Sequence, residues 1–294
     1  MTSGLTFSGP RPVSPRALVL LAIAGLALCF ALRDLRIGLV DGFAQRLPQI
    51  SMFPWLVFAV ALWRAARSRV AVACQRADLI AVLGIALATI PLAAERSLAG
   101  IGLCVGAMGL LILWRWRGDA DMRAAAVCML ALCANLSIAP LVFRLGYHAI
   151  IGVDMALLQA AITASGAPVT DTPAGLVAAD GMRVTLVGAC SSFAGISAAI
   201  LVHMGWAMVV RSDVSWRDGV AVAATVCLAT AINIVRLTLT ASGQAEYAFW
   251  HGYAGENPLG SQFFWFAQHA VLLTGGYLSA YWAGRTDPVQ QGRA

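Results

Sequence analysis

Three side chains suited to acyl-transfer chemistry stand at or near the borders of apolar segments in the second half of this chain. Cys190 opens the apolar run 190–210, Arg236 lies inside the run 219–240, and His251 follows that run. A thiolate can attack a peptide carbonyl, an imidazole can carry the proton, and a guanidinium can hold the developing oxyanion. Together these residue types predict a cysteine nucleophile that works with a base and a cation.

Cys190 differs from the other cysteines because it falls where an external segment meets an apolar span. At the first turn of a helix, unpaired backbone N–H groups and the helix dipole favour the thiolate. Ser191 and Ser192 are small, leave the sulfur accessible, and are candidates to orient a substrate. The alternative is a packing cysteine. A disulfide is not expected, since no other cysteine is predicted at that surface.

Arg236 is predicted within an apolar helix, about 6 Å below its outer end at the helical rise per residue. A guanidinium there is costly, so it indicates function, unless the side chain extends to the interface. Asn233 lies three residues earlier on the same helical face. It is a candidate to orient the guanidinium or a substrate amide.

His251 is the predicted base, because its ordinary pKa suits proton transfer near neutral pH. Its aromatic neighbours also allow a packing role. His269, inside the last apolar span, is the alternative base, and His148 lies in another external segment. His203 is roughly 20 Å deep by the helical rise. That depth predicts a structural role for His203.

The elements that hold these residues must be membrane helices. The chain has 294 residues, of which 60% are apolar and 12% charged, and its mean hydropathy is +0.79. Soluble domains carry about 25% charged residues, so water-soluble, disordered and nucleic-acid-binding proteins are excluded. The net charge of +6 comes from arginines clustered in short loops, which indicates membrane topology. We predict an all-α, polytopic integral membrane protein that contacts the lipid bilayer and binds no nucleic acid.

Eight apolar segments are predicted to cross the membrane: 17–32, 47–63, 79–94, 98–114, 124–143, 190–210, 219–240 and 261–283. The loops predicted on the same side of the membrane as the N-terminus carry roughly twice as many arginines as the loops on the other side. Both termini are therefore predicted to be cytoplasmic. The organisation is a tail over 1–16, five helices over 17–143, a core over 144–283 with three helices, and a tail over 284–294.

The largest external segment, 144–189, has internal structure of its own. Val153–Ala164 reads as an amphipathic stretch, and Val169–Val187 has short alternating patches that predict a small extended element. Neither zinc-ligand spacing nor a cofactor motif is present, so we expect no metal and no organic cofactor.

With these residues in view, the stretch 150–265 resembles the exosortase/archaeosortase family of membrane cysteine transpeptidases. The resemblance rests on short pieces in a fixed order: Ala156-Leu157-Leu158, Gly166-Ala167-Pro168-Val169, Val184–Val187, Ala189-Cys190-Ser191-Ser192, Asn233-Ile234-Val235-Arg236, and His251 with Gly255. One difference is that Ser192 stands where the family commonly has glycine, and no arginine follows closely. That difference indicates a divergent subtype.

The resemblance implies that Cys190 is the nucleophile, Arg236 the essential arginine and His251 the third catalytic residue. It implies an enzyme of the bacterial inner membrane whose active site faces the periplasm or exterior. Its substrates would be exported proteins with a C-terminal motif, a transmembrane helix and a basic tail. Cleavage through a thioester would anchor or process them, in systems that often accompany exopolysaccharide genes.

Two other classes remain open from the sequence. One is a non-catalytic membrane scaffold or transporter of polysaccharide assembly, which predicts polar groups at the bilayer midplane or paired broken helices. The other is a lipid-linked glycosyltransferase that uses Asp34 or Asp41. Those two carboxylates can instead balance neighbouring arginines.

Overall fold

A computed structural model describes residues 14–41, 52–70, 74–95, 97–166, 169–172, 175–184, 186, 190–252 and 259–285. Its helices are α1 Pro15–Asp41, α2 Phe53–Arg67, α3 Arg76–Ala94, α4 Leu98–Trp116, α5 Ala120–Cys133, α6 Ala139–Leu145, α7 Tyr147–Ser165, α8 Phe193–Val210, α9 Trp216–Ala241, α10 Gln244–Trp250 and α11 Leu259–Arg285. A single π-helical turn, Ala134–Ile138, joins α5 to α6.

Among the described residues, seven helical stretches are long and apolar enough to cross a membrane. The largely helical chain therefore has the character of a multi-pass membrane protein, as the composition predicted. The seven stretches are Pro15–Leu35, Arg76–Ala94, Leu98–Trp116, Ala120–Leu145, Tyr147–Ser165, Phe193–Val210 and Trp216–Ala241.

These seven differ from the eight predicted segments in three places. The described part of the predicted segment 47–63 lies in α2, which has 15 residues, fewer than the roughly 20 that an upright span needs. The predicted segment 261–283 lies in α11, which is long enough but is interrupted by polar residues such as Gln262 and Gln268. Conversely, α7 qualifies as apolar although it was predicted only as an external amphipathic stretch.

The helices run alternately up and down, and ion pairs show which ends meet. Arg64 at the end of α2 pairs with Asp121 at the start of α5 at 2.7 Å. Arg115 at the end of α4 pairs with Asp78 at the start of α3 at 2.6 Å. Arg211, after α8, pairs with Asp218 in the first turn of α9. The loops predicted to face the cytoplasm therefore share one end of the bundle, which we call the arginine end.

The first and last helices also have one end each at the arginine end. On α1, Phe30 packs on Trp55 near the start of α2 with ring centroids 5.0 Å apart, so α1 begins at the arginine end. On α11, Ser279 contacts His203 at 2.6 Å, and His203 contacts Asp218 at 2.7 Å. Near its other end, α11 meets α10, because a Cβ added to Gly260 would lie 2.6 Å from Phe249 O. Thus α11 ends at the arginine end of the bundle, and α1 begins at that same end.

The helix α7 stands at the opposite end of the bundle, beyond the end of α6. Its buried residues Leu158 and Ile162 share an apolar cluster with Ala241, the last residue of α9, and with Cys190 just before α8. The chain therefore leaves α6 and enters α8 at the same end. Apolar character makes α7 a candidate span, and its described contacts include those with the last turns of α9 and the turn before α8.

A small antiparallel sheet follows α7, as the alternating pattern predicted. Its strands are β1 Val169–Thr172, β2 Gly175–Ala178 and β3 Arg183–Val184, in the order β1-β2-β3. Leu176 of β2 and Leu186 after β3 are buried in the same apolar cluster as Cys190. The sheet is thus anchored next to the predicted nucleophile.

Arg64 holds the arginine end of the bundle together. Its guanidinium donates to the carbonyls of Met208 at 2.5 Å and Arg211 at 2.9 Å, besides its pair with Asp121. Carbonyls at the end of a helix have no partner within the helix, so this side chain completes α8. Buried carbonyls deprived of such a donor cost free energy.

We predict that Arg64→Met lowers the free energy of unfolding by about 2 kcal/mol, because carbonyls of α8 and Asp121 lose their donor. Thermal unfolding in detergent measures the change. Arg67→Met is the matched control, since Arg67 is exposed and stacks on the same Trp63 ring at 4.9 Å. Equal shifts in the two variants would contradict this account of Arg64.

Candidate active site

Cys190 lies in a tight turn that leads from the sheet into α8. Helix α8 begins at Phe193, not at Cys190 as the sequence predicted. The Ser192 amide donates to the Asp154 carboxylate at 3.1 Å, and the Phe193 amide donates to Ser191 Oγ at 3.2 Å. The prediction that N–H groups at the helix start act on the sulfur was therefore wrong for these two amides, which bind other partners.

Asp154 of α7 fixes this turn and was not singled out from the sequence. Its carboxylate accepts a 2.6 Å hydrogen bond from Ser191 Oγ besides the amide of Ser192, and the side chain is 3% exposed. The sequence did contain a feature that could have identified it, because Asp154 is the only carboxylate in the apolar stretch of α7. An ionisable residue in such a stretch indicates a function.

Asn233 of α9 holds the turn from the other side. Its amide nitrogen donates to the Cys190 carbonyl at 2.9 Å and to Ser192 Oγ at 3.1 Å. The predicted orienting residues Asn233, Ser191 and Ser192 are therefore brought together with Cys190, and all three are buried. In this structure Asn233 orients the backbone of Cys190.

His251, the predicted base, faces the Cys190 sulfur. Its Nε2 lies 3.6 Å from Cys190 Sγ, and its Nδ1 lies 3.3 Å from the Gly252 carbonyl oxygen. A carbonyl only accepts, so Nδ1 carries the proton in the neutral ring and Nε2 is left to accept from the thiol. The ring also stacks on Tyr247 of α10 with centroids 4.9 Å apart, which limits its rotation.

A backbone turn at Gly252 helps to present the histidine. The short helix α10 ends at Trp250, and the amides of His251 and Gly252 both donate to the Tyr247 carbonyl. Gly252 has φ of 79°, a conformation that side-chain-bearing residues rarely adopt. The glycine therefore allows the chain to turn away directly after His251.

Arg236 lies one helical turn after Asn233 on α9, so the same helix contributes both polar groups. Its guanidinium is attracted to the Cys190 sulfur when that group is charged. Within the part of the chain that the structure describes, the buried Nε of Arg236 has no hydrogen-bond partner. A partly buried cation with an unused donor is able to stabilise negative charge at the sulfur or on a substrate.

The surroundings of His251 favour its protonated form. The hydrogen bond with Cys190 is the largest cause and raises the pKa above the ordinary 6.5, and burial opposes it. The Gly252 carbonyl and the Cys190 charge raise the pKa further, whereas the Arg236 charge lowers it. The net upward shift favours transfer of the thiol proton to the imidazole.

A cavity of about 650 Å³ opens onto this pair of residues. Its walls are the turn and strand around β3 on one side and the ends of α9 and α10 on the other. Cys190 and His251 both line it, and Arg236 is not among its described lining residues. A group entering from this cavity would thus meet the thiol and the imidazole first.

The other predicted histidines lie elsewhere. His269 packs on Phe53 and Trp265, with ring centroids 4.8 and 3.9 Å away, and lines a second cavity of about 430 Å³. His148 is exposed on α7, and its ring packs beside Tyr147. His203 is fully buried near the arginine end, in agreement with a structural role. Of the four histidines, the structure brings His251 to Cys190.

Of the two carboxylates considered for glycosyl transfer, the structure describes the side chain of one. Asp34 pairs with its neighbour Arg33 at 2.7 Å, and the side chain of Asp41 lies outside those described. Gly255 of the family-like pattern also lies outside the described residues. In the described ranges, no group of three or more His, Cys, Asp or Glu side chains is arranged to hold a metal ion.

Comparison with models of protein families, with curated proteins and with solved structures yields no match for this chain. A thiol, an imidazole with its acceptor nitrogen toward the sulfur, and a cation together suit nucleophilic attack on a carbonyl.

We predict that Cys190→Ala lowers the pKa of His251, because the hydrogen bond that raises it most is lost. In the wild type the imidazolium then persists to a higher pH than in the variant. The imidazole proton shifts of His251, assigned with a His251→Gln variant, measure both titrations by NMR in detergent micelles. Identical midpoints in the two proteins would refute the proposed contact.

Proposed function

We propose that this chain is a membrane-embedded cysteine peptidase or transpeptidase of the exosortase type. The observation that carries the proposal is the 3.6 Å approach of His251 Nε2 to Cys190 Sγ inside a cavity. Nucleophile and base within reach of each other, with the base oriented by a third group, is the arrangement of covalent catalysis. Here the third group is the Gly252 carbonyl.

In the acylation step, the Cys190 thiol gives its proton to His251 Nε2, and the sulfur attacks the substrate carbonyl carbon. The C–S bond forms while the carbonyl π electrons move to oxygen. The tetrahedral intermediate then collapses, the C–N bond breaks, and the leaving amine takes the proton from His251. The product is a thioester on Cys190.

Arg236 supports this step through its charge. It attracts the Cys190 thiolate and lies in a low-dielectric setting, where a fixed cation is worth more than in water. It lowers the pKa of His251, which helps that residue release the proton to the leaving amine. Both effects act on charges that develop during acylation.

In the second step, a water molecule or an acceptor amine attacks the thioester. His251 takes the proton of that nucleophile, the C–S bond breaks, and the sulfur leaves as thiolate, which the imidazolium reprotonates. Water gives hydrolysis, and an amine gives transfer. The same groups serve both outcomes.

The proposed substrates are exported proteins with a C-terminal motif, a transmembrane helix and a basic tail. The position of the site supports this substrate class, because Cys190 and His251 lie at the end of the bundle opposite the arginine end. We propose that α1, α2, α3, α4, α5–α6, α8, α9 and α11 cross the bacterial inner membrane. Both termini are then cytoplasmic and the site faces the periplasm.

We predict that Cys190→Ala abolishes cleavage of an exported reporter carrying such a C-terminal signal, because Cys190 is the cysteine among the described residues that line the cavity. Immunoblots of cells that express enzyme and reporter measure the processed fraction. Cys227→Ala is the control, since Cys227 is exposed on α9 away from the cavity. Undiminished processing by Cys190→Ala would eliminate the proposal.

The proposed orientation predicts that a membrane-impermeant maleimide modifies Cys190 in intact spheroplasts. Comparison of wild type with Cys190→Ala by mass spectrometry isolates this modification. Cys74, in an arginine-end loop, is the control and should react only after the membrane is permeabilised. Modification of Cys74 but not Cys190 from outside would reverse the orientation.

A further inference from the structure

The cavity that contains Cys190 runs along the edge of the small sheet. Five consecutive residues, 180–184, line it, including both residues of β3. Successive side chains of a strand point to opposite faces, so a cavity on one face would meet only alternate residues. Both strand residues, Arg183 and Val184, line the cavity, which indicates that the cavity lies against the edge of β3.

The ladder register shows which backbone groups face that edge. The Ala178 amide donates to the Met182 carbonyl at 2.9 Å, so this pair is hydrogen-bonded. Hydrogen-bonded and non-hydrogen-bonded pairs alternate in an antiparallel ladder, which makes Val177 with Arg183 a non-hydrogen-bonded pair. The N–H and C=O of Arg183 therefore point away from β2.

The strand β3 is an edge strand, and the described residues add no further strand on its outer side. Beyond the sheet, no backbone hydrogen bond joins Arg183 to any other residue that the structure describes. An edge strand with outward N–H and C=O groups is a template for an added strand. Extended peptides bind many proteins in this way.

We propose that an extended stretch of the polypeptide substrate adds to β3 as a fourth strand, which carries its scissile carbonyl to Cys190. This inference rests on the peptidase function proposed above. The segment that binds β3 is identified as the substrate because β3, Cys190 and His251 line the same cavity of about 650 Å³. Main-chain hydrogen bonds to β3 would provide affinity for an extended segment whatever its side chains.

Two thiol reagents separate this binding mode from the reactivity of Cys190. A tetrapeptide chloromethyl ketone presents an extended backbone, whereas iodoacetamide has none. With either reagent the Cys190 sulfur forms a C–S bond, the halide leaves with the C–halogen electrons, and His251 takes the thiol proton. Mass spectrometry of the detergent-purified protein gives both rates of modification at Cys190.

The decisive variants are Arg183→Pro and Arg183→Ala. Both remove the guanidinium, but only proline removes the outward N–H, and proline is tolerated on an edge strand where that N–H is not used by the sheet. We expect the peptide reagent to modify Arg183→Pro about fivefold more slowly than Arg183→Ala, as for one lost hydrogen bond. Iodoacetamide should modify the two variants at equal rates.

A second measurement leaves the protein unchanged. Peptide reagents methylated at one backbone nitrogen at a time should lose rate at alternate positions only, because every second amide of an added strand faces β3. Equal rates across the methylated series, or equal rates of Arg183→Pro and Arg183→Ala with the peptide reagent, would overturn strand addition. If iodoacetamide leaves Cys190 of the wild type unmodified, the proposed peptidase function fails instead.

Discussion

The backbone turn that carries Cys190 is buried at the end of a helical bundle, where its polar groups must find partners within the protein. The buried side chains of Asp154, Ser191 and Asn233 supply them, from α7, from the turn itself and from α9. An unsatisfied amide or carbonyl in such a place costs about 1–3 kcal/mol. This set of hydrogen bonds therefore fixes the position of the sulfur, and the distance to His251 depends on it.

Charge is distributed unequally between the two ends of the bundle. At the arginine end, arginines are matched by carboxylates or by helix carbonyls, as Arg64, Arg115 and Arg211 show. At the site end, no ion pair among the described residues includes Arg236. Paired arginines stabilise the fold, whereas the role proposed for Arg236 fits a cation that has no described carboxylate partner.

The segment between α6 and α8 gives the site its second wall. Helix α7 brings Asp154 to the turn, and the sheet that follows places β3 along the cavity opposite α9 and α10. Leu158, Leu176 and Leu186 anchor this segment in one apolar cluster with Cys190. The site therefore lies between an open strand edge and two helix ends, and this arrangement leaves the thiol accessible from one side.

The sequence by itself determined the membrane class, the alternation of helices and the residue types of the site, because hydropathy and charge act locally and can be read without a fold. It also indicated Cys190 by its position at the border of a span, Arg236 and Asn233 as polar residues inside an apolar helix, and His251 as a candidate base. Tertiary structure alone decided that His251 rather than His269 meets the sulfur, that α8 begins after Cys190, and that Asp154 fixes the turn. Those outcomes depend on contacts between segments far apart in the chain, where side-chain packing and hydrogen-bond satisfaction select one arrangement among several that local propensity allows.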